Sequence, residues 1–277
     1  VQPIVSWYRE NKRQLAWRED VSAYRVWVSE IMLQQTRVEA VKPFYDRFLK
    51  ELPTVKDLAE AEEDKLLKLW EGLGYYNRVR NMQKAAIQIM ENFGGEFPRT
   101  YEEILSLTGI GNYTAGAICS FAYGIPKPAV DGNVLRVISR IIASEEDIMK
   151  PTVRTKIEYM LDGVIPQDSA SDFNQGLIEL GALICTPKGM AKCGECPVYD
   201  SCQARKENKV EEIPIKAKAK ERRIEKRTVF VFQDGENIAI RKRKAKGLLA
   251  GLYEFPNEEG YFTEEEVIVY SKEKGLY

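Results

Sequence analysis

The sequence predicts a mainly α-helical protein followed by a small α+β segment. Three observations carry this. Eight segments between residues 24 and 183 repeat apolar side chains at helical spacing. The stretch 213–227, IPIKAKAKERRIEKR, is basic and poor in large apolar groups, and reads as a linker. Beyond it, TVFVFQ, an Asp234-Gly235 turn and NIAIRK form the pattern of a β-hairpin over 228–242.

The helical segments are 24–33, 40–49, 62–69, 81–91, 113–122, 134–142, 152–161 and 172–183. Gly, Pro and Asn stops separate them, such as Phe93-Gly94-Gly95 and Gly124-Ile125-Pro126. The roughly 50 residues after the linker are near the lower limit for an independent core, so the second domain is expected to be incomplete.

With a formal net charge of -1, nothing draws the whole chain toward nucleic acid. Binding would need a local basic face, for which Arg78, Arg80, Lys84, Arg136 and Arg140 are the expected sources. No apolar run spans a membrane and no secretory segment opens the chain, so cytosol, or nucleus in a eukaryote, is the expected compartment. The chain has no histidine, which excludes a Ser-His-Asp triad and any imidazole-ligated zinc.

Between 101 and 122 the segment LTGIGNYTAGAI places Gly109 and Gly111 around Ile110, between two helical patterns. Such a helix-hairpin-helix turn can aim backbone amides at a phosphate, often with a bridging cation, or simply connect two helices. A second glycine-rich turn, Gly72-Leu73-Gly74-Tyr75-Tyr76, precedes the segment with Arg78 and Arg80. Its aromatics could wedge into a base stack or pack on the core.

Glu30 sits at helical spacing from Val26, Trp27 and Leu33. Desolvation there raises a carboxyl pKa and suits a general acid; a buried ion pair with an Arg is the alternative. Asp131 precedes the amphipathic segment 134–142, where it can cap the helix, act on a substrate, or both. Two carboxylates in unlike environments suit glycosidic cleavage, one protonating the leaving group and one stabilising the sugar cation. A base leaving from DNA must also be flipped out of the duplex.

Cys185, Cys193, Cys196 and Cys202 form C-x7-C-x2-C-x5-C. Four thiolates this close suit one metal centre, with zinc, an iron–sulfur cluster and disulfides as the choices; the single short pair favours a [4Fe–4S] cluster. Cys119, on a face with Ala115 and Ala122, is expected in the core.

Together these features resemble the helix-hairpin-helix DNA glycosylase superfamily. SEIMLQQTRVEAV, WEGLGYYNRVRN, GIGNYTAGAI, AVDGNVLRV and FNQGLIELGALIC resemble its adenine DNA glycosylase (MutY) family over roughly residues 5–205. LLAGLYEFP at 248–256 resembles the start of that family's Nudix-like domain. The resemblance implies a catalytic region 1–212, with a six-helix module at 20–125 and a cluster module from 1–19 and 126–212. The linker 213–227 and a partial Nudix-like domain 228–277 would follow.

It also implies residue roles. Glu30 would protonate adenine and handle the water, and Asp131 would stabilise the sugar cation. Tyr113 and Asn133 would support them. Gln35 and Tyr75 would wedge into the duplex, with Gly109, Gly111 and Arg78 also at the DNA. Cys185, Cys193, Cys196 and Cys202 would hold the [4Fe–4S] cluster, and the hairpin a monovalent cation.

The implied partner is double-stranded DNA with adenine opposite 8-oxoguanine or guanine, bound by a monomer away from any membrane. The related endonuclease III type carries a nucleophilic Lys where Tyr113 stands and lacks Glu30's match, which favours a glycosylase without lyase chemistry. An endonuclease III-like lyase and a non-catalytic iron–sulfur DNA-binding module are the alternatives. Three departures stand out. One extra residue lies between the first two cysteines, lengthening a loop whose Lys188 and Lys192 would contact phosphate. Thr108 replaces a usual Pro. Most of the domain that reads the oxidised guanine is missing from the sequence.

Overall fold

The computed structural model describes residues 1–187, 189, 191–217, 223–244 and 247–275. It divides into two compact units, Val1–Ala217 and Lys218–Tyr277. Among the described residues no helix is long and apolar enough to cross a membrane.

The first unit is helical. Its elements are α1 (Gln2–Asn11), α2 (Ala16–Glu19), α3 (Ala23–Leu33), α4 (Val38–Glu51), α5 (Val55–Glu60), α6 (Glu63–Trp70), α7 (Asn77–Asn92) and α8 (Tyr101–Ser106). They continue as α9 (Asn112–Ala117), α10 (Gly132–Ile141), α11 (Pro151–Asp162), α12 (Ala170–Leu183) and α13 (Gln203–Lys206). All eight expected segments are helical, with ends shifted by at most four residues when the π-helical turn is counted with α9. The segment 113–122 changes character half-way: α9 gives way to a π-helical turn, Ile118–Ala122.

The periodicity missed α5 and α8 because six residues show too little of a repeat. Their start signals were nonetheless in the sequence. Thr54 and Asp57 form a reciprocal capping box, and Thr100 accepts from the Glu103 amide.

Two cores organise this unit. One gathers α2 to α9 around Trp27, Trp70, Phe48 and Met32. The other joins α1 to α10, α11 and α12 through Ile4, Val5, Val134, Phe173 and Leu177. Leu15 and Trp17 pack in the first core, although the sequence-based division placed residues 1–19 with the second. Cys119 is fully buried in the first core. Gly176 and Gly116 permit close backbone approach: a Cβ at Gly176 would lie 2.8 Å from the Ile4 side chain, and one at Gly116 2.0 Å from the Pro128 carbonyl oxygen.

Among its described residues, the second unit contains three antiparallel strand pairs and α14 (Glu264–Glu273). The expected hairpin forms only in part. Strands β2 (Gln233–Asp234) and β3 (Asn237–Ile238) pair across the turn. However, β1 (Arg227–Val229) pairs with β6 (Asn257–Glu259), and β4 (Arg241–Lys242) pairs with β5 (Tyr253–Glu254). Packing decides this. Phe230 stacks on Tyr270 with ring centroids 4.4 Å apart and meets Phe262 edge-on, which draws β1 toward the chain's later segments.

Candidate active site

Glu30 projects from α3, only 7% exposed. Burial pushes its carboxyl up to about 7; the Tyr113 hydroxyl pulls it down, Asp131 pushes it up and Arg18 pulls it down. Tyr113 stands in the first turn of α9, just past the hairpin, and donates to Glu30 Oε2 at 2.5 Å. Burial and the facing Glu30 raise the phenol well above its ordinary value, so it remains a donor. No Arg forms an ion pair with Glu30 among the described residues.

Asp131 is the N-cap of α10. Its Oδ1 accepts from the Val134 amide and its Oδ2 from Asn133 Nδ2, each at 2.8 Å. Burial raises this carboxyl, while those two donors oppose the shift by favouring its charged form. Capping engages Oδ1, and the side chain still lines the cleft. Glu30, Tyr113, Asp131, Asn133 and Gln35 all line one cleft of about 1020 Å³. A carboxyl that holds a proton near neutrality thus shares with a second carboxyl group, fixed by amide donors, a cleft large enough for a nucleoside.

The hairpin lies between α8 and α9. Gly109 has φ +79°, and a Cβ there would fall 2.7 Å from Asn81 Cβ on α7. Gly111 has an ordinary φ, is exposed, and has nothing within 4 Å of a built Cβ. Only Gly109 is required by the turn; Gly111 leaves the amides ahead of α9 uncovered. The Tyr75-Tyr76 pair divides its roles: Tyr75 is 65% exposed, whereas Tyr76 packs on the first core.

Residues 28–161 match the HhH-GPD superfamily of base excision DNA repair proteins. The adenine DNA glycosylase of Buchnera aphidicola subsp. Schizaphis graminum is 38% identical over 258 residues, which are 92% of this chain and 74% of that protein. The chain belongs to the adenine DNA glycosylase family. The human adenine DNA glycosylase is 35% identical over 308 residues, 92% of this chain and 56% of that protein.

Among solved structures, a thermostable thymine-DNA glycosylase aligns with a TM-score of 0.67 and 26% identity, covering 74% of this chain and 94% of that one. A trapped endonuclease III–DNA covalent intermediate aligns at 0.63 and 23%, covering 75% of this chain and 95% of that one, and shows the shared fold.

In this adenine DNA glycosylase family member, three expectations need correction. Arg78 is not free for DNA, because its guanidinium donates to the carbonyls of Ile31, Gln34, Leu73 and Gly74. Arg136 and Arg140 do not form a basic face either. They are 9% and 2% exposed and bind internal carbonyls. Long side chains at amphipathic spacing look alike in sequence whether they point outward or bridge inward. Arg80 pairs with Glu63, while Lys84 is exposed. Lys188 lies outside the described residues; Lys192 is exposed beside Glu195.

Sequence reasoning missed the far wall of the cleft. Glu179 on α12 is fully buried and accepts from Arg13 Nε and Nη2 at 2.8 Å and from Arg18 Nη2 at 3.0 Å. Burial pushes Glu179 up, but the two guanidinium groups hold it down at about 2. The lone Glu in the apolar run LIELGAL was the available signal. Arg154 also lines the cleft and donates to the Val130 carbonyl beside Asp131.

Cys185, Cys193, Cys196 and Cys202 are free thiols that line a single cavity of about 30 Å³. Among the described residues no three His, Cys, Asp or Glu side chains are grouped for a single metal ion. Arg140 Nη1 lies 3.3 Å from Cys185 Sγ. A chain of hydrogen bonds then runs to the cleft. Arg136 donates to the Cys185 carbonyl and to Asn133 Oδ1, both at 2.8 Å, and Asn133 in turn donates to Asp131. Gly181 makes room for this junction, since a Cβ there would lie 2.5 Å from Asn133 Cβ.

Proposed function

We propose that this protein hydrolyses the N-glycosidic bond of adenine mispaired with 8-oxoguanine or guanine in double-stranded DNA, as a monomer in base excision repair. The observation that carries the reading is the Glu30–Tyr113 pair facing Asp131–Asn133 across one cleft. Glu30, protonated near neutrality, gives its proton to a ring nitrogen of the flipped adenine and so lets the base leave neutral. Asp131, whose charged form the Val134 amide and Asn133 favour against burial, stabilises the oxocarbenium-like sugar. Glu30, now a carboxylate, takes the proton of the incoming water. Tyr113 offers a phenol where a lyase needs an amine, so the hydroxyl of the water adds at the sugar C1′ and the abasic sugar stays in the strand without forming a Schiff base.

Gln35 and Tyr75 enter the duplex at the gap left by the base. The hairpin at Gly109 and Gly111 takes a backbone phosphate, with a monovalent cation. The four cysteines hold a [4Fe–4S] cluster; the cavity they share and their single short pair, Cys193 and Cys196, support this reading. When bound, the cluster would tie together the segment 185–202 through Cys185, Cys193, Cys196 and Cys202. The unit after the linker carries the Nudix-like segment LLAGLYEFP. The work place is the cytoplasm of a prokaryote or the nucleus of a eukaryote.

The test is a duplex with adenine opposite 8-oxoguanine, incubated with protein and then alkali. Strand breakage at the adenine is expected, and none with Glu30→Gln. An intact strand with the wild-type protein overturns the reading. A borohydride-trapped covalent adduct favours a lyase instead.

A further inference from the structure

Four described non-glycine residues of the first unit, Gln35, Tyr75, Ala143 and Asn208, have left-handed backbones, and the turns of the first two share one support. Gln35, between α3 and α4, has φ 59°, and Tyr75, between α6 and α7, has φ 48°. L-residues rarely adopt this conformation without support from their surroundings. Both turns are held by one side chain. Arg78 Nη1 donates to the Ile31 carbonyl at 2.8 Å and the Gln34 carbonyl at 2.7 Å. Its Nη2 donates to the Leu73 carbonyl at 2.9 Å and the Gly74 carbonyl at 3.2 Å. One nitrogen therefore serves each turn.

The guanidinium also lies over the rings of Trp70 and Tyr75, with centroids 5.5 and 5.6 Å away. Trp70 is fully buried and donates from Nε1 to the Gly74 carbonyl at 3.1 Å, so the platform under Arg78 is rigid. No carboxylate pairs with Arg78 among the described residues, and its Nε is buried without a partner. Carbonyl dipoles at the C-terminal end of α3 and in the glycine turn stabilise the charge instead.

We propose that Arg78 is a positioning residue that couples the turns of Gln35 and Tyr75 into one two-pronged wedge, and so sets how readily the duplex opens at the target base. The proposal rests on the wedge reading of those two residues given above. Opening a duplex requires unstacking, and a wedge does this only if it does not yield. Two prongs tied through one planar fork enter together; untied, each turn can relax toward an ordinary backbone and withdraw. Arginine suits the task because its fork reaches two turns at once, which a single ammonium cannot do.

The experiment compares Arg78→Lys and Arg78→Gln with wild type on two duplexes. In one the target adenine has paired neighbours; in the other its neighbours are unpaired, so the unstacking is already done. Single-turnover cleavage is expected to fall about tenfold or more on the first duplex and less than about threefold on the second. In a Gln35→Ala/Tyr75→Ala background, Arg78→Lys is expected to add no further loss, because its partners are gone. Emission from 2-aminopurine beside the mispair, which reads unstacking without cleavage, is expected to rise on binding wild type and not on binding Arg78→Lys.

Equal losses on both duplexes, a full loss in the wedge-less background, or an unchanged 2-aminopurine response would overturn the proposal. Loss of cooperative melting in both Arg78 variants would do the same, by assigning the residue to the fold alone. Wild type that cleaves neither duplex sinks the adenine reading instead, and the fluorescence then decides on Arg78.

Discussion

The Tyr113 hydroxyl and the Glu30 carboxylate meet at 2.5 Å although 83 residues separate them in sequence. Burial alone would push Glu30 upward; the phenol moderates the rise, leaving the carboxyl near 7. This one contact joins α3 to the first turn of α9, just past the hairpin.

The cleavage rate should therefore fall as pH rises through about 7, because the protonated form of Glu30 is the acid. Tyr113→Phe removes a donor that favours the charged form, so the falling limb should move to higher pH. Single-turnover rates from pH 5 to 9 check this. A limb that stays in place would mean that another group titrates.

The same burial has a stability cost of known sign. Glu30 titrates near 7 when folded and near 4.5 when unfolded, so the folded state holds the extra proton between these values. Stability contributed by this group is complete below about 4.5 and is lost as pH rises through about 7. Glu30→Gln should thus stabilise the protein more at pH 8 than at pH 5, by up to about 3 kcal/mol. Urea melts at both pH values read it, and equal shifts would contradict the burial argument.

Glu179 titrates in the opposite sense. Held at about 2 by Arg13 and Arg18, it contributes stability above its unfolded value that is lost as pH falls toward 2. Glu179→Gln leaves two half-buried guanidinium groups without their carboxylate and should cost about 1.5–3 kcal/mol in a denaturant melt at pH 7. A loss below about 1 kcal/mol would show that water replaces the carboxylate.

The two hairpin glycines should respond differently to alanine. Gly109→Ala forces a side chain into a left-handed position and against Asn81, so the melt should shift down by more than about 1 kcal/mol. Gly111→Ala meets nothing and should leave the melt unchanged while weakening DNA binding. Unchanged affinity for Gly111→Ala would remove the phosphate from that turn.

Iron and inorganic sulfide in equal amounts are expected from the purified protein, and their loss on Cys196→Ser. Arg136→Gln should leave the iron bound but slow cleavage, since it cuts the hydrogen-bond chain from Cys185 to Asp131. Zinc in place of iron would refute the cluster assignment.

Local chemistry made much of this protein legible in its sequence. The helices announce themselves by repeat and by caps such as Ser22, Thr54 and Asp131, because a helix needs its first amides satisfied nearby. Glu30 stood out as a charge among apolar neighbours, and the cysteines by spacing alone. What tertiary structure decided were long-range choices. Arg78, Arg136 and Arg140 turned inward because carbonyls from other segments waited there. Glu179 found Arg13 and Arg18 more than 160 residues away. β1 left its neighbour in sequence for Asn257–Glu259. A sequence states which groups must be satisfied, since desolvation penalises each one locally; only the packed chain determines which partner satisfies them.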